Sequence, residues 1–583
     1  MSQKDDAKSW KALFPPMALS YESTLVNKTG SWKYIKPLYQ DKTPPCNEGC
    51  PAGEDIEGYM YLISKGKIKE AWELLRKDNP FPAVCGRVCF HPCEMACNRK
   101  DFDEALSINQ AERYLGDFGL EKGKAAKIKE KRNERVAIIG SGPAGLSCAY
   151  HLAVMGYRVT VFEALPMAGG ILMVGIPQYR LPKDVLQKEI KLIEDMGVEI
   201  KTGMRVGKEI GFSELERFDA TFIATGVHVS RKIGAKNEDV KGVLSGLDFL
   251  KELNLGKKPK VGKKVAIIGG GNTAMDAARS VLRMGSTPVV VYRRTRAEMP
   301  AIEDEIEEAE REGIEFIFLA APIEVHTKGD KIVDMECIRM RLGEPDESGR
   351  RKPEPIKGSN FKVKVDNVIS AIGEKADLSF LPEDIKVEDG VIVTDESLMT
   401  TRKGIFAGGD VIDQPHTVVD AIGSGKKAAI EIDRYIRNID VDLEKFRIGE
   451  VGNISMERYL GQETVEKANH LNMVVRIDDL NLDYFEHQPR REKPRMPVEK
   501  AKKSFAEVNT GFSEEMVRKE ASRCFNCAVC NECEICLIFC PDVAIIRKNE
   551  GKGFEFKYDY CKGCGICVHE CPRNAMSMTR EDL

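Results

Sequence analysis

The chain has 583 residues, 42% hydrophobic and 31% charged, with 88 basic and 92 acidic side chains for a net charge of -4. That length fits several domains rather than one, and the balance excludes the bulk basic field of a nucleic-acid-binding protein. No apolar run approaches the ~18 residues of a membrane span. Met1 opens a polar stretch, SQKDDAKSW, without a signal-peptide core, so the cytoplasm is expected. Thiols stay reduced there, so 18 cysteines point to metal rather than disulfides.

Six cysteines come early: Cys46-x3-Cys50-Pro51, then CGRVCFHPCEMAC with Cys85, Cys89, Cys93 and Cys97. Spacing of four is compatible with a helical stripe of small buried thiols. Gly86 and Pro92 interrupt such a helix, however, and six stacked cysteines make a poor core. Between the two groups, DIEGYMYLISKGKIKEAWELLRKDNP predicts two amphipathic helices with Ile56, Met60, Ile63, Ile68, Ala71, Leu74 and Leu75 inward.

Residues 135–163 read RVAIIGSGPAGLSCAYHLAVMGYRVTVFE. A buried strand runs into Gly140-Ser141-Gly142-Pro143-Ala144-Gly145, a helix follows, and a second strand ends at Glu163. The first glycine allows a tight turn, the second admits a pyrophosphate, and the third packs helix on strand. The terminal acid accepts ribose hydroxyls. The pattern recurs at 264–294, KVAIIGGGNTAMDAARSVLRMGSTPVVVYRR, with Gly269, Gly271, Asn272, Thr273 and Ala274 in the turn. The second strand ends in Arg293 and Arg294, and Arg293 stands about where Glu163 stood. A carboxylate there repels a 2′-phosphate and an arginine pairs with it, so this second site suits NADP(H). The plainer alternative is that Arg293, Arg294 and Arg296 form a solvated basic turn.

The acidic run EDEIEEAERE at 303–312 predicts a solvated helix that starts at Pro300. Cys148 and Cys337 are expected in the core. GIFAGGD at 404–410 ends in Asp410, and AIGSGKKAA starts a helix near 421. Residues 485–511, with HQPRREKPRMP, read as an extended connector. The eight histidines form no partner pattern, and no catalytic side chain is expected.

Two copies of one string close the chain: Cys530-x2-Cys533-x2-Cys536-x3-Cys540-Pro541 and Cys561-x2-Cys564-x2-Cys567-x3-Cys571-Pro572. This is the bacterial spacing for two [4Fe-4S] clusters, in which the fourth cysteine of each run serves the other cluster. Cys530, Cys533, Cys536 and Cys571 are expected on one cluster, and Cys561, Cys564, Cys567 and Cys540 on the other. Zinc, the alternative, takes two separated C-x2-C pairs.

CGRVC, GSGPAGL, GGILMVGIPQYRLP (169–182), GGGNTAMD, YRRTRAEMP (292–300) and GIFAGGD together resemble the small (beta) subunit of bacterial glutamate synthase. The same resemblance extends to the FAD/NADPH half of dihydropyrimidine dehydrogenase and to the large subunit of NADH-dependent ferredoxin:NADP oxidoreductase. It covers about 40–440. It implies cofactor contacts from Gly170, Arg180, Gly409, Asp410 and Thr417, and two irregular amino-terminal [4Fe-4S] clusters. The family supplies one cluster with a C-x2-C pair just before the position of Cys46. This chain has none there, but EASRCFNC carries one at Cys524 and Cys527. Carried over, Cys46, Cys97, Cys524 and Cys527 hold one cluster. Cys50, Cys89, Cys93 and an oxygen ligand, Glu112 or else Gln110, hold the other. Cys85 is left unliganded. A spare zinc pair at Cys524 and Cys527, and His91 as a ligand, remain alternatives.

The expected fold is α/β, with two Rossmann-like domains flanked by a helical iron–sulfur domain and an α+β ferredoxin-like domain. The expected boundaries are 1–130 for the amino-terminal iron–sulfur domain and 131–255 with 367–445 for FAD. NAD(P)H takes 256–366, a connector 446–520, and the ferredoxin-like domain 521–583. The expected function is electron transfer between NADP(H), FAD, four [4Fe-4S] clusters and partner redox subunits, a ferredoxin among the candidates, in a hetero-oligomer without nucleic acid or membrane. The alternatives are a true glutamate synthase small subunit, the NADP(H) subunit of a bifurcating transhydrogenase, and a cluster scaffold with an idle nucleotide site.

Overall fold

A computed structural model describes residues 28–40, 42–126, 128, 130–346, 349–450, 453–461, 473–548 and 553–581. The polar opening stretch and part of the connector, 462–472, lie outside the described residues. The chain divides into two compact units. The larger comprises Thr43–Ile477 and Glu486–Asn526; the smaller comprises residues 1–42, Asp478–Phe485 and Cys527–Leu583.

Two five-stranded parallel sheets organise the larger unit. The first has the order Ile405–Ala407, Ala220–Ile223, Arg135–Ile139, Arg158–Glu163, Glu199–Thr202. Its central strand is buried from Val136 to Ile139, as a strand covered on both faces must be. The second has the order Glu315–Phe318, Thr287–Tyr292, Lys264–Ile268, Asn367–Ser370, Val243–Ser245. An antiparallel meander, Ala320–Lys328, Lys331–Pro345, Arg351–Pro355 and Phe361–Val363, leads away from it. Cys148 and Cys337 are fully buried, as the sequence predicts.

The amino-terminal helices Ile56–Ser64 and Ile68–Leu75 bury Ile56, Met60, Ile63, Ile68, Ala71 and Leu75. Helices Pro82–Val88 and Ile108–Lys122 cross so closely that a Cβ on Gly86 would lie 2.3 Å from the Arg113 nitrogen. Only glycine fits that crossing.

The acidic helix differs from expectation. It starts at Glu303, not Pro300, and is solvated on one face only. On the other face Glu312 accepts from Arg279 at 2.8 Å and from Arg283 at 2.6 and 2.7 Å, all three side chains being buried. Burial pushes the Glu312 carboxyl up, but the Arg283 and Arg279 bonds outweigh it and hold it below the usual range. The charge run therefore neutralises two buried guanidiniums that periodicity alone does not reveal. The connector packs on the same region. Arg283 donates to the Ser504 carbonyl, Arg495 pairs with Glu308 at 3.2 Å, and Val508 N–H donates to the Tyr179 carbonyl at 3.0 Å.

In the smaller unit, Met576–Arg580 pairs antiparallel with Ile35–Tyr39, and Ile545–Arg547 pairs with Phe554–Phe556. The first pair joins segments more than 500 residues apart, a register no local pattern predicts.

Glu312→Ala should cost about 3–5 kcal/mol, because it leaves the buried Arg283 guanidinium without a carboxylate and takes one of the partners of Arg279. Urea melts of wild type and variant read this; an unchanged midpoint would show that the ion network contributes nothing to stability.

Candidate functional site

The strand Arg135–Ile139 delivers the chain into the turn at Gly140, whose φ of +104° lies in the region glycine favours. The helix Pro143–Val154 starts directly after it. At Gly142 a Cβ would meet no atom within 4 Å, so the backbone faces open space where a pyrophosphate would approach. That space is a cavity of about 260 Å³ lined by Gly140, Gly142, Ala144, Glu163, Gly170, Gly409, Asp410 and Thr417, all predicted from the sequence.

Glu163 is fixed at the end of its strand. Its Oε2 accepts from Ser141 N–H at 2.9 Å and Ser141 Oγ at 2.5 Å, and its Oε1 from Leu165 N–H at 2.7 Å. Oε1 keeps capacity for a ribose hydroxyl. Thr417 caps the helix Val418–Arg437 by accepting from Asp420 N–H at 3.1 Å. Burial raises the Asp410 carboxyl above its usual range, against His416 nearby. Thr225 Oγ1 lines the cavity, is buried, and has no hydrogen-bond partner. An orphaned hydroxyl in a glycine-lined cradle fits a polar dinucleotide. His228 and His416 also line it, and burial lowers the His228 pKa. No sequence pattern marks these two histidines.

Two predicted cofactor residues lie elsewhere. Gly145 packs helix on strand, since a Cβ there would approach the Gly140 carbonyl to 2.0 Å. Arg180 does not line the cavity; it bonds Asp276 at 2.7 Å and Glu305 at 2.8 Å. Tyr179 Oη donates to the Asp276 carbonyl at 3.1 Å. The GIPQYRLP and GGGNTAMD segments therefore bind each other and join the two sheets' domains.

In the second turn Gly269 has φ +140° and Asn272 and Thr273 open the helix Asn272–Arg283. Asn272 Oδ1 accepts from Ile302 N–H at 3.0 Å. The paired arginines separate in role. Arg293 is exposed, whereas Arg294 is buried and donates to the Arg351 carbonyl at 2.7 Å and to Asp346. Arg296 is paired with Glu303 and Glu310. Arg294 is thus committed within the protein, and Arg293 is the residue left facing outward.

The amino-terminal cysteines surround buried acids. Burial pushes the Cys50, Cys89 and Cys93 thiols up. Glu112 is a charged neighbour of Cys50 and Cys89, and Cys50 and Cys89 are neighbours of Cys93. Glu112 is buried, accepts from Asn79 Nδ2 at 2.9 Å, and lies 3.4 Å from His91 Nε2. Burial and then Glu54 raise its pKa, and burial holds His91 down at about 3. Gln110 is also buried, with an unpartnered Oε1. Thiols and carboxylates gathered away from water suit a metal core. Near Cys524, Glu520 accepts from Ser107 N–H at 2.9 Å, Arg491 N–H at 3.1 Å and Arg523 at 2.6 Å. Arg523 also donates to Asp103 and the Glu104 carbonyl and is a charged neighbour of Cys97. Cys46 and Cys524 pack against the hydrophobic core that contains Cys97.

One backbone turn recurs at the cysteines. In the last run Gly563 and Gly565 have φ +70° and +79°, and Gly563 N–H donates to Cys561 Sγ at 3.4 Å. Glu532 and Glu534 repeat it after Cys530, at +62° and +67°. Asn526 and Ala528 repeat it after Cys524, at +50° and +72°, with Asn526 N–H donating to Cys524 Sγ at 3.4 Å. Burial pushes Cys530 up to about 11, with Cys536, Cys571 and Cys533 as charged neighbours, while Cys540 and Cys564 are those of Cys561. Tyr39 Oη, absent from the sequence expectations, lies 3.2 Å from Cys536 Sγ.

The larger unit holds a flavin-type dinucleotide cradle and a second nucleotide fold, and the smaller unit carries cluster-type cysteine turns. The chain belongs to the pyridine nucleotide-disulphide oxidoreductase family, which matches residues 134–425. Residues 38–124 match the dihydropyrimidine dehydrogenase domain II 4Fe-4S family and 529–576 the 4Fe-4S dicluster family. It is 40% identical over 525 residues to the NADP(+)-dependent formate dehydrogenase subunit beta of Moorella thermoacetica, covering 83% of this chain and 70% of that one. It is 38% identical over 521 residues to the NADPH-Fe(3+) oxidoreductase subunit beta of Geobacter sulfurreducens, covering 83% and 75%. Against the glutamate synthase [NADPH] small chain of Azospirillum brasilense it is 36% identical over 418 residues, covering 68% and 86%. The chain is an NAD(P)H-dependent oxidoreductase with FAD, nicotinamide and iron–sulfur domains. Among the described residues no helix is long and apolar enough to cross a membrane.

Glu163→Gln should weaken FAD retention, because an amide nitrogen cannot accept the Ser141 or Leu165 hydrogens. A charged hydrogen bond contributes about 1.5–3 kcal/mol. The flavin-to-protein ratio after gel filtration reads it; a full complement of tightly held flavin would contradict the assigned role.

Proposed function

We propose that the chain is the NADP(H)-handling subunit of a larger redox complex and holds one FAD and four [4Fe-4S] clusters. The observation that carries this is the pair of unlike nucleotide turns in one compact unit, one ending in the bonded acid Glu163 and one in the exposed Arg293. When bound, nicotinamide and flavin exchange a hydride and the clusters carry single electrons. The protein's own contribution is binding and orientation. Glu163, Asp410 and Thr417 hold the flavin dinucleotide, with Gly140 and Gly142 admitting its phosphates. Gly269, Gly271, Asn272 and Thr273 receive the nicotinamide dinucleotide, and Arg293 meets its 2′-phosphate.

Cys50, Cys89, Cys93 and Glu112 hold one amino-terminal cluster, their mutual placement supporting the set. Cys46, Cys97, Cys524 and Cys527 hold the other; the shared turn at Cys524 supports this. The crossed sets of Cys530, Cys533, Cys536, Cys571 and of Cys561, Cys564, Cys567, Cys540 hold the last two. Two relatives that cover 83% of this chain are beta subunits by name, which supports a redox partner for this chain too. The shorter match to the glutamate synthase small chain makes that enzyme the second reading.

Anaerobically purified protein should contain about sixteen irons per flavin. Cys524→Ala with Cys527→Ala should remove about four of them and leave the flavin. A double variant with unchanged iron would place the fourth cluster's ligands elsewhere. Arg293→Ala should weaken NADPH binding roughly ten- to a hundredfold and NADH little, the loss of a charged phosphate contact. Equal loss for both nucleotides would refute the phosphate contact.

A further inference from the structure

The two cysteine runs of the smaller unit are copies offset by 31 residues, so each serves as a reference for the other. Both carry a short helix, Ile535–Ile538 and Ile566–His569, and a left-handed residue after the Cys-Pro, Val543 at φ +48° and Asn574 at +54°. The side chains at equivalent positions are opposite in character. The later copy has the polar residues His569, Glu570 and Asn574; the His569 side chain faces water, and Glu570 and Asn574 are half-buried and bonded within the unit. Asn481 donates to the His569 carbonyl at 3.4 Å, Tyr484 Oη to Glu570 at 2.5 Å, and Lys42 Nζ to Asn574 Oδ1 at 2.6 Å. The earlier copy has Ile538, Phe539 and Val543, exposed by 69%, 48% and 74%.

Three large apolar side chains left in water around the cluster ligand Cys540 cost solvation free energy that the later copy avoids. Of the charges nearby, Lys562 pairs with Asp542 at 2.7 Å and Arg547 with Glu534, while Glu532 and Lys548 add one charge of each sign. The patch therefore offers apolar area and little net field. Charge steering suits a carrier that binds and leaves, whereas apolar contact suits a subunit that stays.

We propose that Ile538, Phe539 and Val543 form the docking surface for a stably bound redox subunit, which presents an uncharged apolar face beside its own flavin or iron–sulfur centre. This rests on the proposed function above. Each electron that leaves this chain is gained by that subunit, so two transfers discharge one hydride.

The internal copy supplies the test. Ile538→His, Phe539→Glu and Val543→Asn place in the first run residues that the second run already tolerates. The full-length holoprotein and its complex, purified anaerobically from the source cells, are compared by hydrogen exchange. Amides 535–547 should exchange more slowly in the complex than in the chain alone, while 566–575 are equal in both. The triple variant should keep NADPH-driven reduction of benzyl viologen and bind the purified flavin- or iron-bearing subunit at least roughly tenfold more weakly. Undiminished binding by the variant would overturn the proposal. So would exchange at 535–547 that is the same in the complex and in the isolated chain. A wild-type dimer that the substitutions split would assign the surface to self-association and overturn it as well. Failure of NADPH to bleach the wild-type flavin would instead sink the functional reading, independently of the surface.

Discussion

The larger unit depends on a buried carboxylate, Glu520, that ties the tail of the chain to its beginning. The carboxylate is fully enclosed and takes two backbone amides and the Arg523 guanidinium. Arg523 in turn reaches Asp103 and the Glu104 carbonyl. A buried ion pair needs further hydrogen bonds to offset its desolvation, and here backbone groups from two segments, at Glu104 and Ser107 and at Arg491, supply them. Losing either partner would strand a charge and free the segment that carries Cys524.

Buried ion pairing recurs where the two nucleotide folds meet. Arg180, Asp276, Arg279, Arg283, Glu305 and Glu312 are paired in one enclosed network. It links the GIPQYRLP loop, the nicotinamide-site helix and the acidic helix, and the connector lies against it through Ser504 and Val508. Such networks impose one arrangement rather than adding much stability, and hydride exchange between two bound rings needs one arrangement.

Much of the site was legible because its chemistry is written in local spacing. The glycine turns, Glu163 at the end of its strand, and the two terminal cysteine runs need only neighbouring residues to be recognised. What was not legible depends on partners distant in sequence. Arg293 and Arg294 are adjacent and alike, yet Asp346 and the Arg351 carbonyl claim one of them. Arg180 sits in a recognisable motif but turns to Asp276. The acidic run looks solvated until Arg279 and Arg283 are placed beneath it. The strand Ile35–Tyr39 finds its partner at the opposite end of the chain. Thr225, His228 and His416 enter the cavity only through the fold.

The most direct test of the account is an anaerobic titration of the full-length holoprotein with NADPH, followed together by absorbance and electron paramagnetic resonance. The account predicts that the flavin band bleaches and that signals of reduced [4Fe-4S] clusters appear in the same titration. A flavin that stays oxidised, or one that bleaches while every cluster remains silent, would contradict it.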